Sequence, residues 1–156
     1  FGYNIKATDL QASIGCAQLE KLDTFTEKRR KNWQYIYDHL EDLEQEFILP
    51  QSTPLAEPSW FGFLLTVRDS AKTSRDKIVH HLETNKIQTR MLFSGNLTRH
   101  PCFDQMRSSG QGYRIVGDLQ NTDRIMRDTF WVGVYPGMTQ EKLDYMIKKI
   151  RETVSK

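Results

Sequence analysis

The spacing of apolar residues divides the chain into helical and extended stretches. Thr8 and Gln11 form a Thr-x-x-Gln capping box, so a first helix is predicted to open at Thr8. Leu10, Ile14 and Ala17 make one apolar stripe on it, and Ala12, Gly15, Leu19 and Leu22 a second. Two stripes fit burial on two sides, including at a subunit contact. Cys16 sits within this pattern and is expected to be a buried thiol. A second, longer helix is predicted from a cap at Asp23, with Phe25, Trp33, Ile36, Leu40, Leu43 and Phe47 at three-and-four spacing, until Pro50 stops it. Residues 50–59 carry three prolines with Ser52, Thr53 and Ser59 and read as a loop.

Beyond that loop the period changes. Residues 60–67 form a continuous apolar and aromatic run, predicted as a strand. Ile78, Val79 and Leu82 mark a short helix behind a Thr73 or Ser74 cap, and residues 87–92 a second strand. Residues 93–118 are broken by Ser94, Gly95, Pro101, Gly110, Gly112 and Gly117, and loops of this length inside a compact domain are usually functional or mobile. A short helix after Asn121 or Thr122, a third strand over 130–135 closed by Pro136-Gly137, and a last helix capped by Thr139 complete the series. Leu143, Met146, Ile147, Ile150 and Val154 stripe that last helix. Strands interleaved with helices predict a small α/β sheet with helices packed on one face, and three strands suit a subdomain better than a full doubly wound fold.

Composition narrows the function classes. The 22 basic and 20 acidic residues nearly cancel, which argues against nucleic acid as a partner. The run Lys28, Arg29, Arg30, Lys31 is flanked by Glu27 and by Glu41, Asp42 and Glu44 and reads as a solvated helix face. No apolar run approaches the roughly 18 residues of a membrane span, so no membrane partner is expected. The chain opens on Phe1 with no basic stretch leading into an apolar one, so no signal peptide is expected. Residues 1–6 read as mid-domain sequence, as in part of a longer protein. Two distant cysteines, Cys16 and Cys102, fit a reducing cytoplasm.

Familiar catalytic motifs are missing: there is no GxGxxG, P-loop, HExxH or GxSxG. His80 and His81 are adjacent, so on a helix their rings diverge by about 100° and suit no common metal. His100 and Cys102 lack a second pair at zinc spacing. Three features remain. Asn4 and Lys6 stand just before a helix start, where an amide, a cation and the helix dipole suit a phosphate, although on the residues alone a polar turn entering a helix is the favoured explanation. Arg90, Asn96 and Arg99 surround the end of a strand and could hold a diphosphate or sugar hydroxyls, or be solvated. Trp60, Phe61 and Phe63 are either core or a sugar platform.

The stretch GYNIKATDLQASIGCAQLEKL (residues 2–22) resembles the G-[YL]-N-x-[RK]-x-x-x-x-Q-A-x-x-G-x-x-Q-L signature of the DegT/DnrJ/EryC1/StrS family, sugar aminotransferases and dehydratases of the fold-type I pyridoxal-phosphate class. It is joined by Ile87-Gln88-Thr89-Arg90, by Gly95-Asn96-Leu97 and by FWVGVYPG (130–137), so the resemblance covers nearly the whole chain. Lys6 in place of the family's arginine, MLFSGNLTRHPCF (91–103), and Trp60-Phe61-Gly62-Phe63 where aminotransferases tend to have a histidine are similar to the 3-dehydrase branch, typified by CDP-4-keto-6-deoxy-D-glucose 3-dehydrase.

The resemblance implies a single C-terminal domain of a larger enzyme of deoxysugar and lipopolysaccharide biosynthesis. Residues 1–50 would be two helices at the domain junction, and 60–156 a small α/β domain of mostly antiparallel sheet, as in fold-type I aminotransferases. It implies a homodimer with pyridoxamine or pyridoxal 5'-phosphate between subunits, Asn4 and Lys6 reaching the cofactor phosphate across the dimer. Arg90, Asn96 and Arg99 would line the nucleotide-sugar substrate, with Trp60 or Phe61 near the hexose. The branch removes the 3-hydroxyl of a 4-keto sugar, using a histidine where transaminases have the Schiff-base lysine. That histidine, a [2Fe-2S] cluster carried by several members, and contacts to a flavin or iron–sulfur reductase would lie outside this chain, which is expected to be inactive alone. A sugar aminotransferase of the same family and a non-catalytic interaction module are the alternatives.

Overall fold

The computed structural model describes Tyr3 and residues 6–154. Helix α1 (Asp9–Leu19) opens on the expected capping box: the Thr8 hydroxyl accepts from the Gln11 amide, and the Thr8 amide donates to the Gln11 side chain at 2.9 Å. Helix α2 (Leu22–Asp38) follows after a turn. Strands β1 (Phe47–Ile48), β2 (Gly62–Val67), β3 (Thr89–Met91) and β4 (Thr129–Gly133) form one sheet in the order β1-β2-β4-β3, with every pairing antiparallel. Because β2 and β3 both run against β4, they are parallel to each other. Helix α3 (Arg75–Thr84) makes the crossover between them. Short α4 (Asp104–Ser109) and α5 (Gln120–Asp128) lie between β3 and β4, and α6 (Gln140–Glu152) ends the fold.

The register assigns the two sheet faces. Phe63 stands opposite Val132, and Leu65 opposite Phe130, on a fully buried face. Helices α2, α3 and α6 cover it with Trp33, Ile36, Ile78, Leu82, Leu143, Met146, Ile147 and Ile150 in one apolar cluster. Helices on one face of a small antiparallel sheet are the expected architecture. The alternate residues Leu64, Thr66, Thr129 and Trp131 point the other way, since side chains alternate along a strand. There the Thr66 and Thr129 hydroxyls share a hydrogen bond at 2.8 Å.

Polar contacts lock the helical layer. Tyr35 on α2 donates its hydroxyl to Asp144 on α6 at 2.7 Å, and Arg151 on α6 reaches the His39 carbonyl and Asp42 at the end of α2. Thr139 caps α6 as expected, accepting from the Lys142 amide.

Three expectations are corrected. The second helix stops at Asp38 instead of running on toward Pro50. Glu41, Asp42 and Glu44 would crowd negative charge onto a helix C-terminus, against its dipole. The segment instead makes a 3₁₀ turn at Glu41–Leu43, and Phe47–Ile48 pairs with Thr66 and Val67 as a fourth strand. Leu40 and Phe47 are still buried, because three-and-four spacing also serves a turn followed by a strand entering the same core. Second, Cys16 is exposed. Third, helix α1 contributes no buried residue, so its apolar stripes are not buried by the described residues of this chain, and only the subunit-contact part of that expectation is left open.

These placements separate core from surface by stability. In this chain, Ile36→Ala should cost about 2–5 kcal/mol in urea unfolding, because it leaves a cavity. Ile14→Ala, at a position 65% exposed, should stay within about 0.5 kcal/mol. Equal losses at the two positions would contradict the assignment of α1 to the surface of the folded chain.

Candidate functional site

The candidate residues fall into separate places on the fold. Asn4 lies outside the described residues. Lys6 is exposed two residues ahead of the α1 cap and makes no ion pair among the described residues. The capping box already engages the Thr8 amide, so Lys6 offers an uncommitted cation beside a helix start.

Asn96 and Arg99 come together at one end of the sheet, in a small polar depression with Arg107, Tyr113 and Asp123. Asn96 is 3% exposed, and both polar atoms of its side chain are hydrogen-bonded. Its amide nitrogen donates to Asp123 at 2.6 Å, and its oxygen accepts from the Thr98 amide and hydroxyl at 3.0 and 2.7 Å. Arg99 pairs with the same Asp123 at 2.8 Å. Arg107 ties the loop from beneath, donating to the Thr98 and His100 carbonyls and pairing with Asp104. Gly95 is required just before them. Its φ is +61°, and a Cβ would lie 2.5 Å from Met126 Cγ. The Gly95-Asn96-Leu97 motif is therefore what fastens the loop after β3 onto α5. Asn96 acts through the loop, while Arg99 remains at its surface.

The Asp123 carboxyl is held below the usual carboxylate range, first by its hydrogen bond from Arg99 and then by that from Asn96. Asp123 stands 27 residues from Asn96 and carried no local signal in the sequence; it is the residue on which the cluster converges.

Trp60 stacks on Trp33 with ring centroids 4.5 Å apart and planes at 9°, so one of its faces belongs to the edge of the core. With Arg30, Gln34 and Ser52 these two indoles line a shallow cleft. Arg30 holds the proline-rich loop over it, donating to the Glu57 and Pro58 carbonyls. Phe63 is core. Phe61 is exposed and meets Trp131 edge-on, centroids 5.2 Å apart.

Trp131 lies over Gly62, where a Cβ would come within 2.7 Å of its ring. Arg90 stands directly opposite Trp131 in the β3–β4 register, on the sheet face away from the core. Its guanidinium donates to the Thr89 carbonyl at 3.1 Å. With its amide oxygen turned inward, Gln88 accepts from both terminal nitrogens of Arg90 at 2.9 and 2.8 Å. Both of these partners are neutral.

No three His, Cys, Asp or Glu residues among those described are grouped to hold a metal ion. Cys16 and Cys102 are both exposed, and an iron–sulfur cluster needs four ligands, so these residues do not fit one. No described helix is long and apolar enough to cross a membrane.

The chain belongs to the DegT/DnrJ/EryC1/StrS aminotransferase family, whose model matches residues 1–151. It is 46% identical over 151 residues, 97% of its length, to the lipopolysaccharide biosynthesis protein RfbH of Salmonella typhimurium. It is also 46% identical over 155 residues to a dTDP-4-dehydro-2,6-dideoxy-D-glucose 3-dehydratase of Saccharopolyspora spinosa, covering 99% of this chain. A dTDP-4-amino-4,6-dideoxy-D-glucose transaminase of Shigella dysenteriae is 25% identical over 152 residues. The fold matches that of E. coli GDP-4-keto-6-deoxy-D-mannose-3-dehydratase, solved with bound hydrated PLP, at a TM-score of 0.79 and 26% identity, over 96% of this chain and 36% of the other. The chain spans about a third of the length of the relatives it matches, 33% and 32% of the first two.

The Asp123 cluster predicts two stability effects. Asn96→Ala should destabilise the chain by about 1–3 kcal/mol in urea, because Thr98 and Asp123 each lose a partner in a part-buried setting. The lowered Asp123 pKa means that its stabilising contribution is present above the unfolded carboxyl range, about 3.9, and is lost as pH falls through its folded value. Asp123→Asn should therefore weaken the fold at pH 7 and make its unfolding midpoint less sensitive to acid between about pH 5 and 2. A variant with the parent's acid profile would remove Asp123 from the stability argument.

Proposed function

We propose that this chain is the C-terminal part of a pyridoxamine-phosphate-dependent nucleotide-sugar 3-dehydrase of deoxysugar and lipopolysaccharide biosynthesis. The observation that carries the reading is the 46% identity to RfbH and to a 3-dehydratase along nearly the whole chain, against 25% to a transaminase of the same family. The working enzyme is read as a cytoplasmic homodimer. The bare apolar stripes of α1 support a second subunit or a further domain covering that helix.

Asn4 and Lys6 are assigned to the phosphate of the cofactor across the dimer. What supports this is a cation left unpaired at the mouth of α1, where a phosphoryl group would complete both the charge and the dipole. When bound, the cofactor supplies the amine and the electron sink for removal of a sugar hydroxyl. Arg90 and Arg99 are assigned to the nucleotide-sugar. Asn96 keeps Asp123 and Arg99 in place, and Phe61, with the free face of Trp60, is the apolar wall next to the hexose. An electron-donating reductase and an iron–sulfur cluster, if the longer protein uses them, engage groups other than the two exposed cysteines of this chain.

Two experiments test the reading. In the longer protein, Asn4→Ala should weaken pyridoxamine-phosphate binding by about 1.5–3 kcal/mol, the worth of a hydrogen bond to a charged group; an unchanged cofactor affinity would refute the Asn4 assignment. The 156-residue chain incubated with pyridoxal phosphate should develop no saturable, stoichiometric absorbance band, and one that did would contradict its role as a partial contributor. The residue at the cofactor-linking position upstream decides the chemistry: histidine supports dehydration, and lysine means transamination.

A further inference from the structure

The sheet ends on β1 and β3, and an edge strand presents backbone groups that another strand can join. The phase of the ladder identifies those groups on β3. The Val134 amide donates to the Phe61 carbonyl at 2.9 Å, so the backbone groups of Phe130, Val132 and Val134 turn toward β2. Those of Trp131 then turn toward β3, because successive residues of a strand direct their backbone groups to opposite sides. Arg90, opposite Trp131, directs its own backbone groups at β4. The amides and carbonyls of Thr89 and Met91 are left pointing off the edge of the sheet. The chain itself engages them. The Thr89 amide donates to the Glu83 carboxylate at 2.6 Å, and the Thr89 hydroxyl donates to the same oxygen at 2.8 Å. The Thr89 carbonyl accepts from the Arg90 guanidinium at 3.1 Å, and the Met91 carbonyl from the Phe93 amide at 2.7 Å. Thr89 is consequently 5% exposed, although it belongs to an edge strand.

Glu83 sits in the last turn of α3, and a tight turn with Lys86 at φ +64° and the Ile87 amide returned to the Leu82 carbonyl brings that helix end beside β3. Its carboxyl is held below the usual range, first by the Thr89 amide and then by the Thr89 hydroxyl, so it is ionised at neutral pH. An incoming strand would need the Thr89 amide for its own carbonyl and would meet a carboxylate in that place. The opposite edge is closed in the same manner. Arg68 donates to the Glu44 and Phe47 carbonyls at 2.6 and 3.3 Å, and Ser70 to the Gln45 carbonyl at 3.2 Å. We propose that β3 is a latent strand-pairing edge that Glu83 masks, and that the strand it accepts when unmasked is β3 of a second copy of this chain. The edge is self-complementary about a two-fold axis through Thr89: each Thr89 amide meets the other copy's Thr89 carbonyl. That register sets neutral Gln88 opposite Arg90 of the second copy, whereas centring on Arg90 would oppose two like charges. The masking is independent of the sugar chemistry proposed above.

The test compares the 156-residue chain with Glu83→Ala by sedimentation and by hydrogen exchange at the Thr89 amide. Sedimentation should show self-association at least tenfold tighter in Glu83→Ala than in the parent, whatever association the parent has through α1. The Thr89 amide reports which surface is used. In the parent it should be protected at every concentration. In Glu83→Ala it should exchange at least tenfold faster in dilute solution and regain protection as the protein is concentrated. Glu83→Gln keeps an acceptor oxygen and should lie nearer the parent than Glu83→Ala. Glu41→Ala removes an exposed carboxylate elsewhere and should match the parent. Circular dichroism checks that the helices are retained. The double variant Glu83→Ala, Thr89→Val removes the stranded hydroxyl along with its acceptor, which keeps the fold intact while the edge amide stays free; it should associate as Glu83→Ala does. Parent-like sedimentation in both unmasked variants overturns the proposal. Tighter association without returning protection at the Thr89 amide also overturns it, because the copies then meet at a surface other than β3.

Discussion

The antiparallel pairing of β2 with β4 is the constraint from which the rest of the molecule follows. A strand has two faces, and this register commits them to different work. Phe63 with Val132 and Leu65 with Phe130 face inward beneath three helices, where burial of apolar area stabilises the fold. The alternate positions carry Leu64, Thr66 and Trp131, and the neighbouring β3 brings Arg90 to stand beside Trp131. A slip of one residue would turn Arg90 into the core and Phe130 out to solvent. The same hydrogen-bond ladder therefore determines both the hydrophobic cluster and the position of Arg90 beside Trp131.

Glycine makes that surface possible at two points, for different reasons. Gly62 lets the Trp131 indole lie down on β2, because any side chain there would occupy the ring's volume. Gly95 takes a left-handed backbone against Met126 and lets Asn96 turn inward. Once inward, Asn96 gathers Thr98 and Asp123, and Asp123 gathers Arg99. A long irregular segment is thereby held by a handful of hydrogen bonds rather than by a regular element. This also explains why such a segment carries a recognisable string of residues: the string is the fastening.

Helix α1 is bare, with none of its residues buried. Its sequence is also the part that most closely follows the family signature. The two facts fit together if those residue types are selected for what they meet beyond this chain, since none of its described residues buries the two apolar stripes. The reading of the protein as one contributor to a shared site draws on this helix as much as on the identity to its relatives.

Much was legible in the residues because it depends on local chemistry. The capping box at Thr8, the Thr139 cap, the α6 stripe and the central strands follow from hydrogen-bonding side chains and from periods of 3.6 and 2, which neighbours along the chain suffice to express. What the sequence alone could not express are contacts between distant positions. Apolar spacing continued past Asp38, yet the pairing of Phe47 and Ile48 with Thr66 and Val67 made a strand there. Cys16 sat in a buried-looking pattern, yet no described residue covers it and it is exposed. Asn96 and Arg99 could be marked as polar candidates, but only folding brought Asp123 to both, and only the β3–β4 register set Arg90 beside Trp131. Local propensity fixes what each segment can be; the partners that decide burial and charge arrive from far along the chain, and only the tertiary fold supplies them.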